Sequence, residues 1–129
     1  MNIFLTGGNG MVGRNIIDIL KNKNHKLHFP SSKELNLNDN LALRKFLNEI
    51  KPDIVIHAAG KVGGIHANIK EPYEFLLENL NIGTNIVSES YKAGIKNLIN
   101  IGSSCMYPRN IEIPIKEQKN PTRRIRTNK

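Results

Sequence analysis

The stretch "TGGNGMVG", Thr6 to Gly13, constrains the fold of this chain more than any other. It follows the apolar, β-prone run Asn2–Thr6 and precedes Met11, Val12, Ile16, Ile17 and Leu20 at helical spacing. Glycines at 7, 10 and 13 give a strand, a G-x-x-G-x-x-G loop and a helix within the first turn of structure. The first glycine permits the tight turn, the second lets a pyrophosphate approach backbone N–H groups at the helix N-terminus, and the third lets the helix pack closely on the strand. The pattern predicts a dinucleotide-binding loop formed by Gly7, Gly8, Asn9, Gly10, Met11, Val12 and Gly13.

The rest of the chain keeps the same alternation. "HKLHF" is expected as a second strand ended by Pro30, and "LNDNLALRKFLNEIKP" as a helix with an Asn/Asp start and a proline stop. "DIVIHAA" reads as a short buried strand ending near His57. A glycine-rich loop, "GKVGGIHANIKEP", precedes a long amphipathic stretch from Tyr73 to about Lys92, closed by Gly94 in the left-handed position. "NLINIG" is the fourth strand. Alternating strands and helices imply a parallel sheet with right-handed crossovers. The fold class expected is α/β, a Rossmann-type doubly wound parallel sheet of about four strands.

The end of the second strand bears on cofactor choice. An NAD site places an Asp or Glu there to accept from the ribose 2′-hydroxyl. Here the residues are "FPSSKEL": hydroxyls and an ammonium stand where the carboxylate is expected, with Glu34 slightly late. Ser31, Ser32 and Lys33 can hold a 2′-phosphate, which favours NADP, although a solvated loop would read the same way. "LNLND", Leu35 to Asp39, is placed beside an adenine or, equally, as a helix cap.

The fourth strand opens into "GSSCMYP", where two serines and the only cysteine of the chain gather. Strand ends at this point of such a sheet face the crevice where nicotinamide and substrate meet. A serine there can hydrogen-bond a substrate carbonyl, and a thiol can exchange protons with a carbon acidified by a neighbouring ketone. A small, half-buried hydrophobe is an equal reading of Cys105.

Composition narrows the classes. A single cysteine excludes an internal disulfide and suits a reducing cytosol. The four histidines are scattered, so no metal site is expected, and neither a membrane span nor a signal peptide is read, giving a cytoplasmic expectation. The net charge is +8, but residues 1–115 hold 13 Lys/Arg against 10 Asp/Glu, a net of +3. The last 14 residues carry the other +5. The division expected is therefore an NADP-binding unit over 1–115 and a basic tail over 116–129. No aromatic interleaves with the tail charges, so no nucleic-acid partner is expected.

"TGGNGMVG", "KELNL", "HAAGKVGGIHAN", "ENLNIGTNI" and "GSSCMYP" together resemble the GDP-L-fucose synthases, a group within the extended short-chain dehydrogenase/reductase family. "KVGGIHAN" and "SSCMYP" are the narrow motifs; the glycine loop and Asn79/Thr84/Asn85 are shared more widely. The resemblance runs from about Ile3 to Glu117 and covers the N-terminal third to half of a family member. It implies NADPH-dependent epimerisation of GDP-4-keto-6-deoxy-D-mannose at C3 and C5, then reduction at C4. By motif, Gly7 to Gly13 hold the pyrophosphate, and Ser32, Lys33, Glu34, Leu35, Asn36 and Leu37 line the adenosine end. Ile101, Gly102, Ser103 and Ser104 line the nicotinamide end, with Ser103 on the keto oxygen and Cys105 as a base or acid in epimerisation. The loop from Lys61 to Asn68 borders the sugar, and relatives dimerise through helices like the one after Tyr73. Asn9 departs from the basic residue some relatives carry.

One family feature is missing from the sequence. The resemblance places a Tyr-x-x-x-Lys pair at the heart of catalysis, the lysine lowering the tyrosine pKa so that the phenol can donate a proton. Tyr73 is followed four residues on by Leu77, Tyr91 by Ile95 and Tyr107 by Ile111. The expectation is a truncated or frameshifted relative that binds cofactor without turnover; a genuine short binding protein is the alternative. His57 is read as structural, His66 as ordering its loop, and Tyr73, Phe75, Leu76 and Leu80 as a core or subunit-contact face.

Overall fold

In the computed structural model, residues 1–103, 106–108, 110 and 114–115 are described. β1 (Asn2–Thr6) is buried from Ile3 onward and forms the centre of the sheet. α1 (Met11–Leu20) returns the chain to β2 (Lys26–His28), which pairs parallel to β1. α2 (Asn40–Ile50) crosses back to β3 (Ile54–His57) on the other side of β1. α3 (Ile65–Lys70) and α4 (Pro72–Lys92) lead to β4 (Leu98–Asn100). The strand order is β2-β1-β3-β4, all parallel, the α/β Rossmann-type arrangement expected from the sequence.

Right-handed crossovers put α1 on one face of this sheet and α2 and α4 together on the other. The core lies under that second pair: Phe4, Leu35, Leu43, Leu47, Val55 and Ile86, all but Leu35 at 1% exposure or less. α2 begins where the Asp39 carboxylate accepts from the Leu41 and Ala42 amides, satisfying two of the helix's orphan donors. α2 and α4 are further joined by an ion cluster. Glu89, at 1% exposure, accepts from Arg44 Nε at 2.6 Å, Arg44 Nη2 at 3.1 Å and Lys92 Nζ at 2.9 Å.

Two sequence expectations need adjustment. The segment read as an uninterrupted glycine-rich loop contains α3, whose six residues are too few to show a helical period. Of the α4 residues read as a core or subunit-contact face, Phe75 is half-buried, whereas Tyr73, Leu76 and Leu80 are exposed at 67, 70 and 56%, which removes the core reading for these three. Gly94 takes the left-handed conformation predicted for it, with φ of 73°. No helix of the described residues is long and apolar enough to cross a membrane, and no His/Cys/Asp/Glu group among them is arranged to hold a metal ion.

Candidate functional site

The sheet order reverses between β1 and β3, and the C-terminal ends of those strands frame the crevice in which such sheets bind ligands. Thr6 ends β1 and His57 ends β3, opposite one another in register. The Thr6 hydroxyl accepts from the Ala58 and Ala59 amides, both at 3.2 Å, and lies 2.7 Å from His57 Nδ1. With both lone pairs engaged, its one hydrogen goes to Nδ1, which fixes the ring as the neutral Nε2–H tautomer. Burial lowers the His57 pKa, in agreement with that assignment.

The glycine loop stands on this junction. Gly7 has φ of 73°, and a Cβ there would lie 2.6 Å from the Ala58 carbonyl oxygen. A Cβ on Gly13 would lie 2.1 Å from the Gly7 oxygen, so only glycine lets α1 start so close to the end of β1. The Gly10 amide donates to the Gly7 oxygen at 2.9 Å and closes the turn. Gly10 caps α1 without a side-chain hydrogen bond, and no acidic residue stands in the first turn. The N-terminus of α1 is thus a set of uncapped amides with a positive dipole end, open to an anion. Met11, at 79% exposure, and Val12 begin the helix at the surface, Gly8 is buried and Asn9 is exposed.

The exit of β2 lies against the same loop. A Cβ on Gly8 would meet Phe29 Cβ at 2.9 Å, so the phenylalanine side chain rests on the glycine loop. Beyond Pro30 the chain turns through Ser31 to Glu34, with Ser32, Lys33 and Glu34 exposed. Leu35 is a core side chain at 6% exposure, which leaves only its backbone to line a ligand. The Asn36 side chain accepts from the Asn38 amide, and the Leu37 carbonyl accepts from Asn85 Nδ2 at 2.9 Å, tying this loop to α4.

On the β3 side, Asn79 clamps the following loop. Its Oδ1 accepts from the Lys61 amide at 2.8 Å, while Nδ2 donates to the Lys61 and Phe75 carbonyls at 2.9 and 2.8 Å. Lys61 Nζ stands 3.4 Å from Glu78 and 5.1 Å from the centre of the Phe75 ring. Gly63 packs on that ring, where a Cβ would lie 2.8 Å from Phe75 Cζ. His66 is exposed on α3. At the end of β4 the Ile101 amide donates to the His57 carbonyl at 2.9 Å, and the Met106 amide to the Ser103 carbonyl at 3.1 Å. Gly102 lies next to the Met106 thioether. Ser104, Cys105 and the tail over 116–129 lie outside the described residues.

The structure therefore brings the glycine loop, the β2 exit and the ends of β3 and β4 to one edge of the sheet. Two open concavities, of about 570 and 400 Å³, lie along α4 instead, lined among others by Phe75 and Leu76 and by Lys61 and Glu78. Neither includes a glycine-loop residue. Thr6, His57 and Asn79 are the positions sequence reading did not assign to the site. Only the threonine's place at the strand end, immediately before the glycines, pointed toward it.

A parallel sheet with a glycine cradle at its switch point defines a dinucleotide-binding unit of the Rossmann type. The NAD dependent epimerase/dehydratase family model matches residues 3–129, and the chain belongs to that family. It is 46% identical to GDP-L-colitose synthase of Yersinia pseudotuberculosis over 117 residues, 91% of this chain and 38% of that one. It is 44% identical to GDP-L-fucose synthase of Azorhizobium caulinodans over 115 residues, 89% of this chain and 37% of that one. Among solved structures, a GDP-mannoheptose C4 reductase from Campylobacter jejuni with NADP bound superposes with a TM-score of 0.82 at 32% identity, over 92% of this chain and 35% of that one. The chain thus spans less than two-fifths of the length of these relatives.

Proposed function

We propose that this chain is the NADP-binding portion of a GDP-sugar epimerase/reductase of the GDP-L-fucose synthase type, with the NADP-binding unit spanning residues 1–115. The observation that carries the reading is the cradle itself: Gly13 approaches the Gly7 carbonyl so closely that a single Cβ would close it. An uncapped helix N-terminus with no nearby carboxylate suits a pyrophosphate. Gly7 to Gly13 would hold that group, the turn with Ser32 and Lys33 the adenosine 2′-phosphate, and Ile101 to Ser104 the nicotinamide end. Relatives that act on GDP-sugars, one of them solved with NADP, support the substrate class and the cofactor.

Bound NADPH would supply a hydride for reduction of a keto sugar at C4. The chain's own residues have other tasks. A 4-keto group acidifies the C–H bonds on both sides of it, so one site can serve proton exchange at C3 and C5 and then reduction. Ser103 is proposed to donate to the keto oxygen, and Cys105 to move protons at the flanking carbons. The loop from Lys61 to Asn68, held by Asn79, borders the sugar. The sequence contains no Tyr-x-x-x-Lys spacing to protonate the reduced oxygen. The 129-residue chain alone is therefore proposed to bind NADPH in the cytoplasm without turnover.

The test is a thermal melt with and without NADPH, followed by incubation with NADPH and GDP-4-keto-6-deoxy-D-mannose. The expected result is a raised Tm with no NADPH consumption. An unchanged Tm at saturating NADPH overturns the binding assignment, and consumption of NADPH overturns the assignment of a non-catalytic chain.

A further inference from the structure

The turn leaving β2 contains one carboxylate, Glu34, at the end of the sheet where the adenosine ribose of a dinucleotide lies. An acid presented there accepts from a ribose 2′-hydroxyl and repels a 2′-phosphate. Glu34 is held differently. Its Oε2 accepts both the Ser31 amide and the Ser31 hydroxyl, each at 2.7 Å. The backbone closes the same turn, since the Glu34 and Leu35 amides donate to the Ser31 carbonyl at 3.0 and 2.9 Å. Leu35 anchors the far end of the turn in the core, and Phe29 holds the near end against Gly8. The Ser31 bonds lower the Glu34 pKa, so the folded carboxylate is ionised and committed to its own turn at neutral pH. Its neighbour Lys33 is exposed and makes no ion pair among the described residues.

We infer that Ser31 is a positioning residue for cofactor choice: it folds the Glu34 carboxylate back onto the turn, withdrawing the acceptor that favours a 2′-hydroxyl and leaving Ser32 and Lys33 to meet a 2′-phosphate. The inference rests on the NADP reading and goes beyond it, because discrimination is a difference of two affinities and can be set by an acceptor withheld as much as by a cation supplied. It also assigns Ser31 an effect on NADH that a purely structural hydroxyl would not have.

Calorimetric titration with NADPH and with NADH tests this on the unmodified chain, Ser31→Ala, Glu34→Gln and the double variant. Ser31→Ala removes the hydroxyl and leaves only the amide on Oε2, so the loosened carboxylate is expected to lower the NADPH-over-NADH preference about tenfold, partly through tighter NADH binding, as for a change of about 1.4 kcal/mol in relative affinity. Glu34→Gln alone is expected not to tighten NADH binding, because it removes the carboxylate rather than releasing it. The double variant should recover the preference to within about threefold, because the released carboxylate is gone and the two sites are directly coupled. An unchanged preference in Ser31→Ala overturns the inference. A double variant as impaired as Ser31→Ala also overturns it, since the loss then comes from the turn and not from the carboxylate. If the unmodified chain shows no preference for NADPH, the functional reading fails and this inference fails with it.

Discussion

The Thr6 hydroxyl and His57 Nδ1 meet 2.7 Å apart at the point where the strand order reverses, and their contact joins β1 to β3 directly beneath the glycine loop. Removing the hydroxyl leaves an imidazole nitrogen without its donor, the Ala59 amide without this acceptor and the Ala58 amide with its 3.3 Å bond to the Thr6 carbonyl. Thr6→Val, which keeps the shape, is expected to cost about 2 kcal/mol, the scale of one or two unpaired buried polar groups. Urea unfolding measures the loss, and a cost near zero would show that water replaces the hydroxyl.

The same pair gives a pH dependence. His57 is neutral in the folded chain because burial lowers its pKa below 6.5, while the unfolded chain takes up a proton near that value. Stability is therefore complete above about pH 6.5 and falls as the pH drops through it, because the unfolded state then binds more protons. His28, lowered by burial and by Lys26, acts in the same sense. Urea midpoints between about pH 7.5 and about pH 5.5 should decline, and His57→Gln should flatten part of that decline.

Glu89 sets a second, more acidic window. Hydrogen bonds from Arg44 and Lys92 lower its pKa from 4.5 to about 2. A carboxylate with a depressed folded pKa contributes stability above its unfolded value, lost as the pH falls from there toward the folded one. Thermal melts from pH 5 down to about pH 2 should show this loss, and Glu89→Gln should reduce its steepness. Arg44→Ala should lower Tm more than Lys92→Ala, because Arg44 contributes two bonds and links α2 to α4, whereas Lys92 lies on α4 with Glu89.

Gly83 and Gly13 stand at opposite extremes. Gly83 lies within α4 with nothing inside 4 Å of an added Cβ, so Gly83→Ala is expected to stabilise by about 0.5–1 kcal/mol through helix propensity alone. Gly13→Ala places a carbon 2.1 Å from the Gly7 oxygen and forces α1 away from β1. It should lower Tm and weaken NADPH binding by more than tenfold, or about 1.4 kcal/mol. Chemical denaturation and calorimetry on the two variants check the contrast.

Asn79→Ala removes the two hydrogen bonds that fix Lys61 to α4 and a third to the Phe75 carbonyl within the helix. Because the site is exposed, the cost should be modest, about 1–2 kcal/mol. Hydrogen exchange should show the Lys61 amide losing protection while β1 amides keep theirs.

The local elements were legible wherever one segment's pattern determined them. Asn2–Thr6, the glycine loop, α1 and α4 follow from short-range periodicity and turn chemistry. Features made by distant residues were not. Arg44 and Glu89 are 45 positions apart, and nothing in either helix announces a shared ion cluster. Thr6 and His57 meet only because β3 lies beside β1. The short helix α3 was hidden because Gly63 and Gly64 precede it and six residues cannot display a period of 3.6. In the "FPSSKEL" turn the residue types were readable, but not that Glu34 is engaged by Ser31.

The proposed NADP cradle depends on how closely Gly13 approaches the Gly7 carbonyl. The most direct measurement is a calorimetric titration of NADPH into the unmodified chain and into Gly13→Ala. Saturable one-to-one binding is expected for the first and binding more than tenfold weaker for the second. Equal binding by both, or none by the unmodified chain, would contradict the proposed cradle.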